Sequence, residues 1–385
     1  MTRPLVAVDP APEAVLIALR AALDGSGPAV RIAAPGAPGP AAEQAEARVP
    51  QRVAVVVETS GSSGPPKRVA LATSALLTSA AAALAELGGP GRWLLCLPTH
   101  YVAGVQVLVR SLTADADPAV LAPASFDAAD FLDLARTMPA GERRYSSLVP
   151  VQLARLLDRA EGDAAGAETL RSFDALLIGG QATPLQLRER AAALGVRIRL
   201  TYGSSETAGG CVYDGAPLRD VRMRVEDGQV LLGGPTLADG YLDASGALDP
   251  ERTDSAFVSL DGARWYRTGD AGSIVDGRLS VTGRLDRVIV SGGEKVSLDA
   301  VERVLREAGV PDAVVVRRAD ERWGEVPVVV TAGEPPELAE LRATAAEALG
   351  RAAAPAAILR VASIPLLASG KPDRRALERA AVEGT

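Results

Sequence analysis

Apolar positions along this chain gather into short β-branched runs separated by amphipathic stretches. Residues 53–57, V-A-V-V-V, form an unbroken apolar run that predicts a buried strand. The run opens into E-T-S-G-S-S-G-P-P-K-R over 58–68, then V-A-L-A-T, then an alanine-rich stretch that predicts a helix over 74–87. Residues 93–97 predict a second buried strand, stopped by Pro98, with a helix starting near Val102. The alternation continues with a helix over 126–137, a strand over 146–149 and a helix over 151–159 opened by Pro150. A polar loop over 161–167, a strand over 173–178, a helix opened by Pro184 and a strand over 196–201 complete it. Strands that each run into small or hydroxyl-bearing residues before a helix imply a largely parallel sheet with its sites at the carboxyl edge.

The flanks read differently. Residues 1–50 predict one helix over 11–23 and then a loop rich in Ala, Gly and Pro over 25–41, with no chemistry. From about Val212 the pattern shortens to strands over 221–225, 230–233, 265–268, 272–275 and 279–283, with turns such as Asp-Gly between them. Beyond G-R-L-D-R at 283–287, strands over 288–290, 313–316 and 326–331 and helices over 298–308 and 336–350 predict a compact α+β segment. The expected fold is α/β. A large N-terminal domain of αβ-layered sheets over 1–284 includes a small β-barrel-like subdomain at about 212–284. A small α+β C-terminal domain covers 285–385.

Length and charge narrow the class. A chain of 385 residues has room for two or three domains. Its net charge of −7 argues against a nucleic-acid binder, whose footprint would be basic. Cys96 and Cys211 make no disulfide framework and fit a reducing compartment. No apolar run approaches the roughly 20 residues needed to span a bilayer. The expectation is a cytoplasmic enzyme and not an integral membrane protein.

Four positions hold candidate chemistry. After the 53–57 strand, Gly61 and Gly64 let the backbone approach phosphate oxygens, Thr59, Ser60, Ser62 and Ser63 offer hydroxyls, and Lys67 supplies charge. The spacing is not that of a Walker A loop, and a flexible hairpin turn is the alternative. His100, the one histidine, sits at a strand-to-helix junction, where a capping or packing role competes with an active-site one. Arg110, on the helix leaving that junction, reads by default as an exposed helix-face arginine, and Lys371 as an exposed lysine in a Ser-Gly-Lys-Pro turn.

Taken together, T-S-G-S-S-G-P-P-K, Y-G-S-S-E-T, Y-R-T-G-D, G-R-L-D-R-V-I-V-S-G-G-E-K-V and S-G-K-P-D-R-R, in this order, resemble the adenylate-forming superfamily of acyl-CoA synthetases, luciferases and adenylation domains. The likeness spans about residues 53–375. Within it, L-P-T-H-Y-V-A-G-V-Q-V-L-V-R-S-L, L-V-P-V-Q-L-A-R-L-L and L-L-I-G-G-Q-A-T are similar to the o-succinylbenzoate–CoA ligase subfamily of the menaquinone pathway, in its short actinobacterial form. The chain departs in having only about fifty residues before the phosphate loop, and serines at 62, 63 and 205 where threonines are usual.

The resemblance implies that a carboxylate attacks the α-phosphate of ATP, giving an acyl-adenylate and pyrophosphate, and that CoA then displaces AMP. It implies that Thr59 to Lys67 hold the β- and γ-phosphates, that Glu206 ligates Mg²⁺ and that Thr207 contacts the α-phosphate. Gly180, Gln181 and Tyr202 would flank the adenine, with Gly203, Ser204 and Ser205 also at the nucleotide. Asp270 would accept the ribose hydroxyls, with Arg284 beside it. Lys371 would bridge the attacking carboxylate and the α-phosphate. Asp286 would be the hinge, and Gly292 and Gly293 would line the CoA channel. His100, Gly179 and Ser204 would border the acyl pocket, with Arg110 meeting the second carboxylate of o-succinylbenzoate. The implied co-substrates and ions are ATP, CoA and Mg²⁺, and a homodimer is possible. Another aryl- or acyl-CoA ligase, an adenylation enzyme loading a carrier protein, and a non-catalytic nucleotide-binding module stay open as alternatives.

Overall fold

The structure, a computed structural model, describes residues 1–34, 47–59, 66–121, 126–367 and 371–383. The chain divides into two compact units. The first comprises Met1–Arg224, Leu231–Arg267 and Val275–Leu279; the second comprises Val225–Val230, Thr268–Ile274 and Ser280–Thr385. Among the described residues, no helix is long and apolar enough to cross a membrane.

Two sheets build the first unit. One contains β1 (Thr2–Val8), β2 (Ala29–Ile32), β3 (Arg48–Pro50), β4 (Val53–Thr59) and β5 (Lys67–Ala72). Strand Gly240–Leu242 closes it beside β5, and the order runs on through β4, β2, β1 and β3. Helix α1 (Pro12–Asp24) is the crossover between the parallel pair β1 and β2. The N-terminal residues are therefore sheet as well as helix, which corrects the expectation of a helix and a loop. Strand β2 is only four residues long, too short for its period to show, yet all four are buried. Strands β4 and β5 pair antiparallel with Thr59 opposite Lys67. Ser60, Gly61, Ser62, Ser63 and Gly64 lie outside the described residues.

The second sheet contains β6 (Arg92–Leu95), β7 (Ala119–Val120), β8 (Arg144–Leu148), β9 (Ala175–Ile178), β10 (Ile198–Ser204), β11 (Gly209–Tyr213) and β12 (Ala216–Pro217). Their order is β12-β11-β10-β9-β8-β6-β7. Strands β7, β6, β8, β9 and β10 are parallel neighbours, and β11 and β12 are antiparallel. Helices α2 (Thr73–Glu86), α3 (Val102–Thr113), α4 (Ala128–Thr137), α5 (Pro150–Glu161), α6 (Ala164–Arg171) and α7 (Leu185–Ala193) accompany them. A core of Leu94, Phe131, Leu156, Phe173 and Ile178 fills one face. Helix α6 falls where the polarity of 161–167 predicts a loop. Asp163 starts it by accepting from the N–H of Ala165 at 3.1 Å, and Ala167 and Leu170 bury against the core. Two of the short strands expected near the C-terminal flank, 265–268 and 272–275, are one strand, Ala263–Val275.

The second unit has a sheet of Val288–Ser291, Glu294–Ser297, Val314–Asp320, Gly324–Thr331 and Ala357–Arg360. Period-2 alternation sorts its valines. Val315 and Val329 meet helices Leu298–Glu307 and Leu338–Leu349, while Val314, Val316, Val328 and Val330 meet helix Arg374–Glu383. Buried Glu302 gathers three guanidinium groups, Arg374 at 2.7 Å, Arg306 at 2.8 Å and Arg287 at 3.4 Å.

Helix α3 carries the junction described below, and its entry is set by Gly104. A Cβ built there would lie 2.3 Å from the backbone oxygen of Pro98. Gly104→Ala should therefore push α3 off the Pro98–His100 loop and destabilise the protein by about 1–3 kcal/mol. Urea unfolding measures this; an unchanged midpoint would mean that the helix moves aside freely.

Candidate active site

In the first unit, the carboxyl end of β10 runs straight into a tight turn, Ser205–Thr207. Ser204 sets it from both sides. Its hydroxyl accepts from the Glu206 N–H at 3.2 Å, and its own N–H donates to Thr207 Oγ1 at 2.9 Å. Thr207 is fully buried, and its hydroxyl donates to the carbonyl oxygen of Gly209 at 2.8 Å. Its side chain thus serves the turn itself. The turn leaves through Ala208 at φ +52°, a left-handed conformation that costs an alanine about 1–3 kcal/mol. The Ala208 carbonyl accepts from Ser79 Oγ at 3.0 Å and from Gln106 Nε2 at 2.7 Å. Helices α2 and α3 therefore hold the strained residue, and the sequence motif points to neither contact. Gly203 is required here, since a Cβ would sit 2.2 Å from the Gly209 oxygen. Gly179 ends β9, its N–H donating to Leu148 O at 3.1 Å, and Gly180 follows at φ +80° with Gln181 exposed beyond it.

This turn buries the carboxylate of Glu206. Its Oε1 accepts the Tyr241 hydroxyl at 2.8 Å, and its backbone oxygen accepts the Ala238 N–H at 2.8 Å. The ring of Tyr241 lies under the ammonium of Lys67, which is 5.1 Å from its centroid. Two residues singled out in distant motifs thus converge on one tyrosine that neither motif contains. Among the described residues, no group of three or more His, Cys, Asp or Glu side chains could cage a metal. A single buried carboxylate, whose tyrosine partner lies under a lysine ammonium, fits Mg²⁺, which takes one or two protein carboxylates and draws its remaining ligands from substrate phosphates and water.

Arg110 is not exposed, contrary to its default reading. Helix α3 buries every residue from Gly104 to Ser111, because it packs on α2 and on strands of the second sheet, and Arg110 is 3 % exposed. Its guanidinium stacks 4.9 Å over Trp93 and lies 3.4 Å from the Tyr213 hydroxyl. Among the described residues, its Nε has no hydrogen-bond partner and no ion pair forms at this residue. A desolvated cation of this kind, without a protein anion, is costly unless a ligand supplies the charge. Near the start of the same helix, His100 packs tilted against Tyr101 with ring centroids 4.1 Å apart, and its buried Nδ1 has no partner among the described residues. Burial holds the imidazole below its ordinary pKa, so the neutral form is favoured.

The second unit holds its own group. Arg284 Nη1 bonds Asp270 at 3.1 Å and Arg284 Nε bonds Asp286 at 3.2 Å. Asp286 lies in the short turn Leu285–Arg287. Lys371 sits where the tail folds back, Leu366 pairing with Pro372 and the Leu367 N–H donating to Lys371 O at 2.8 Å. Three residues on, Arg374 is tied to Glu302. Desolvation, and then the charge of Arg284, draw the lysine below its ordinary pKa, with Asp270 opposing. Gly292 and Gly293 turn between Val288–Ser291 and Glu294–Ser297 at φ +58° and +86°.

Comparison with known proteins agrees with this arrangement. The family model described as AMP-binding enzyme matches residues 5–242, and the model for the AMP-binding enzyme C-terminal domain matches 301–371. A probable 2-succinylbenzoate–CoA ligase of Mycobacterium tuberculosis is 42% identical over 337 residues, spanning 85% of this chain and 84% of that protein. The solved o-succinylbenzoate CoA synthetase (MenE) of Bacillus subtilis with the acyl-adenylate intermediate OSB-AMP superposes with a TM-score of 0.72 at 27% identity, covering 87% of this chain and 71% of that one. The same synthetase with ATP and a magnesium ion gives 0.70 at 27% identity, covering 84% and 69%. The chain has the adenylate-forming α/β fold and belongs to the family of AMP-binding enzymes.

Proposed function

We propose that the protein is an ATP-dependent acid–thiol ligase that adenylates o-succinylbenzoate, releasing pyrophosphate, and then passes the acyl group to CoA, releasing AMP, in menaquinone biosynthesis. Its relatives named as 2-succinylbenzoate–CoA ligases support the reaction. The observation in this chain that supports the acid is Arg110, a buried guanidinium without a carboxylate partner among the described residues. o-Succinylbenzoate has one carboxylate to activate and a second to anchor. A benzoate or a fatty acid would leave Arg110 unmatched.

The residues then take these roles. Lys67 and Thr59 bind the β- and γ-phosphates at the ends of the β4–β5 pair. Glu206 holds Mg²⁺, which on binding would neutralise phosphate charge as the nucleophile approaches. Gly180, Gln181 and Tyr202 flank the adenine, and Asp270 takes the ribose hydroxyls with Arg284 fixed against it. His100, kept neutral by burial, closes the acyl pocket without adding charge next to the carboxylate being activated. Lys371 stabilises negative charge as the carboxylate and α-phosphate join. The second half-reaction calls on Gly292 and Gly293, whose backbone admits the thin pantetheine arm. A rotation of the second unit about Asp286 would exchange Lys371 for that loop.

Lys371→Ala should lose adenylate formation by at least a hundredfold, the scale of a lost transition-state charge contact, and keep thioester formation from a supplied adenylate. Rapid-quench assays of each half-reaction read this directly; equal loss in both would assign the lysine to structure. The wild-type adenylation rate should fall on the alkaline side. The required ammonium form is lost as pH rises through a pKa below the usual lysine value. Arg110→Ala should raise KM for o-succinylbenzoate by roughly 10- to 100-fold, the worth of a charged hydrogen bond, and leave KM for ATP within twofold. Equal increases for both substrates would remove Arg110 from the acyl pocket.

A further inference from the structure

Tyr241 belongs to none of the sequence motifs, yet it touches two of the residues on which the proposed chemistry rests. It is 2 % exposed and sits on strand Gly240–Leu242, with Tyr241 opposite Val69 and Leu242 opposite Arg68 of β5. That strand is pinned on both sides. The Asp239 N–H donates to Ala70 O at 2.9 Å, and the Tyr241 N–H donates to Thr253 Oγ1 at 3.1 Å. The ring packs against Phe257 at 6.0 Å, which packs in turn against Tyr266 at 5.2 Å. The phenol therefore has little freedom. From this fixed position its hydroxyl reaches Glu206 Oε1, in the turn that follows β10 of the second sheet, and its face lies under the ammonium of Lys67, on β5 of the first.

We propose that Tyr241 is a positioning residue for adenylation, aiming the Glu206 carboxylate at the metal and steadying the Lys67 ammonium over its ring. The inference rests on the reading of Glu206 as the Mg²⁺ ligand and Lys67 as a phosphate ligand. A carboxylate 7 % exposed has few orientations once one oxygen is held by a short bond. A metal ligand that is itself hydrogen-bonded is pre-oriented, and losing such an outer partner typically weakens metal binding 10- to 100-fold. The cation over the ring adds a second, weaker tie, on the side where the phosphates would lie. One side chain thus sets the spacing between the metal-holding and phosphate-holding groups across two sheets.

The test uses the full chain with Tyr241→Phe, which keeps the ring and removes only the hydroxyl. Calorimetric titration of ATP at graded Mg²⁺ concentrations gives the half-saturating Mg²⁺ without turnover. The half-saturating Mg²⁺ should rise about tenfold or more, while ATP affinity without Mg²⁺ stays within twofold. Tyr241→Leu, which also removes the ring, should in addition weaken Mg²⁺-free ATP binding several-fold through Lys67. Glu206→Gln is the control for the underlying reading. If Glu206→Gln shifts the Mg²⁺ requirement and Tyr241→Phe does not, the positioning role is wrong and the metal reading stands. If neither shifts it, both fall together. A lower melting temperature for Tyr241→Phe with an unchanged Mg²⁺ requirement would make the tyrosine purely structural and overturn the proposal.

Discussion

A charge taken out of water has to be met, and three of the charged groups buried among the described residues are met in three different ways. Glu302 in the second unit is met in full, by three guanidinium groups, and one of them belongs to Arg374, three residues past Lys371. Glu206 in the first unit is met in part, by one phenol at 2.8 Å. Arg110 is met by an aromatic face and a hydroxyl, with no anion among the described residues. An unmatched buried charge costs several kcal/mol; Arg3, also buried without an anion among the described residues, is met by the Ala22 carbonyl at 3.1 Å and belongs to the scaffold. The fully paired group ties a tail in place. The partly paired groups are where a cation and an anionic substrate are expected.

The scaffold explains why those groups lie where they do. Parallel strands β6, β8, β9 and β10 end on one edge of their sheet, so the loops after them are neighbours although they are far apart in sequence. Gly203 and the left-handed Ala208 let β10 turn back at once into β11, which presents Glu206 and buries Thr207. The first sheet brings Lys67 through β5, and strand Gly240–Leu242 beside it brings Tyr241. In the second unit, the Asp270–Arg284–Asp286 chain of ion pairs runs along the segment that leads into the α+β fold.

Much of this was readable from residues alone, for reasons that can be stated. Long apolar runs such as 53–57 and 173–178 announce buried strands because period and composition agree. Y-G-S-S-E-T announces its turn because glycine and hydroxyl residues crowd a strand end. Strand β2 was not readable, since four residues carry too little period. Helix α6 was hidden by a polar start that proved to be its Asp163 cap. The depth of Arg110 was also hidden, because a helix packed on both sides shows no polar stripe to contrast with, and a lone arginine then looks like surface. Tyr241 was missed because its importance comes from a strand pairing across about 170 residues of chain, and local pattern carries no such information.

We propose that Arg110, buried without an anion among the described residues, fits this protein to a dicarboxylate aryl acid. The direct measurement is AMP release and CoA thioester formation from ATP, CoA and Mg²⁺ with o-succinylbenzoate, run beside benzoate and hexanoate. Turnover with o-succinylbenzoate and little or none with the two monocarboxylates is the predicted result. Comparable turnover with benzoate or hexanoate, or no AMP from any acid while ATP still binds, would contradict it.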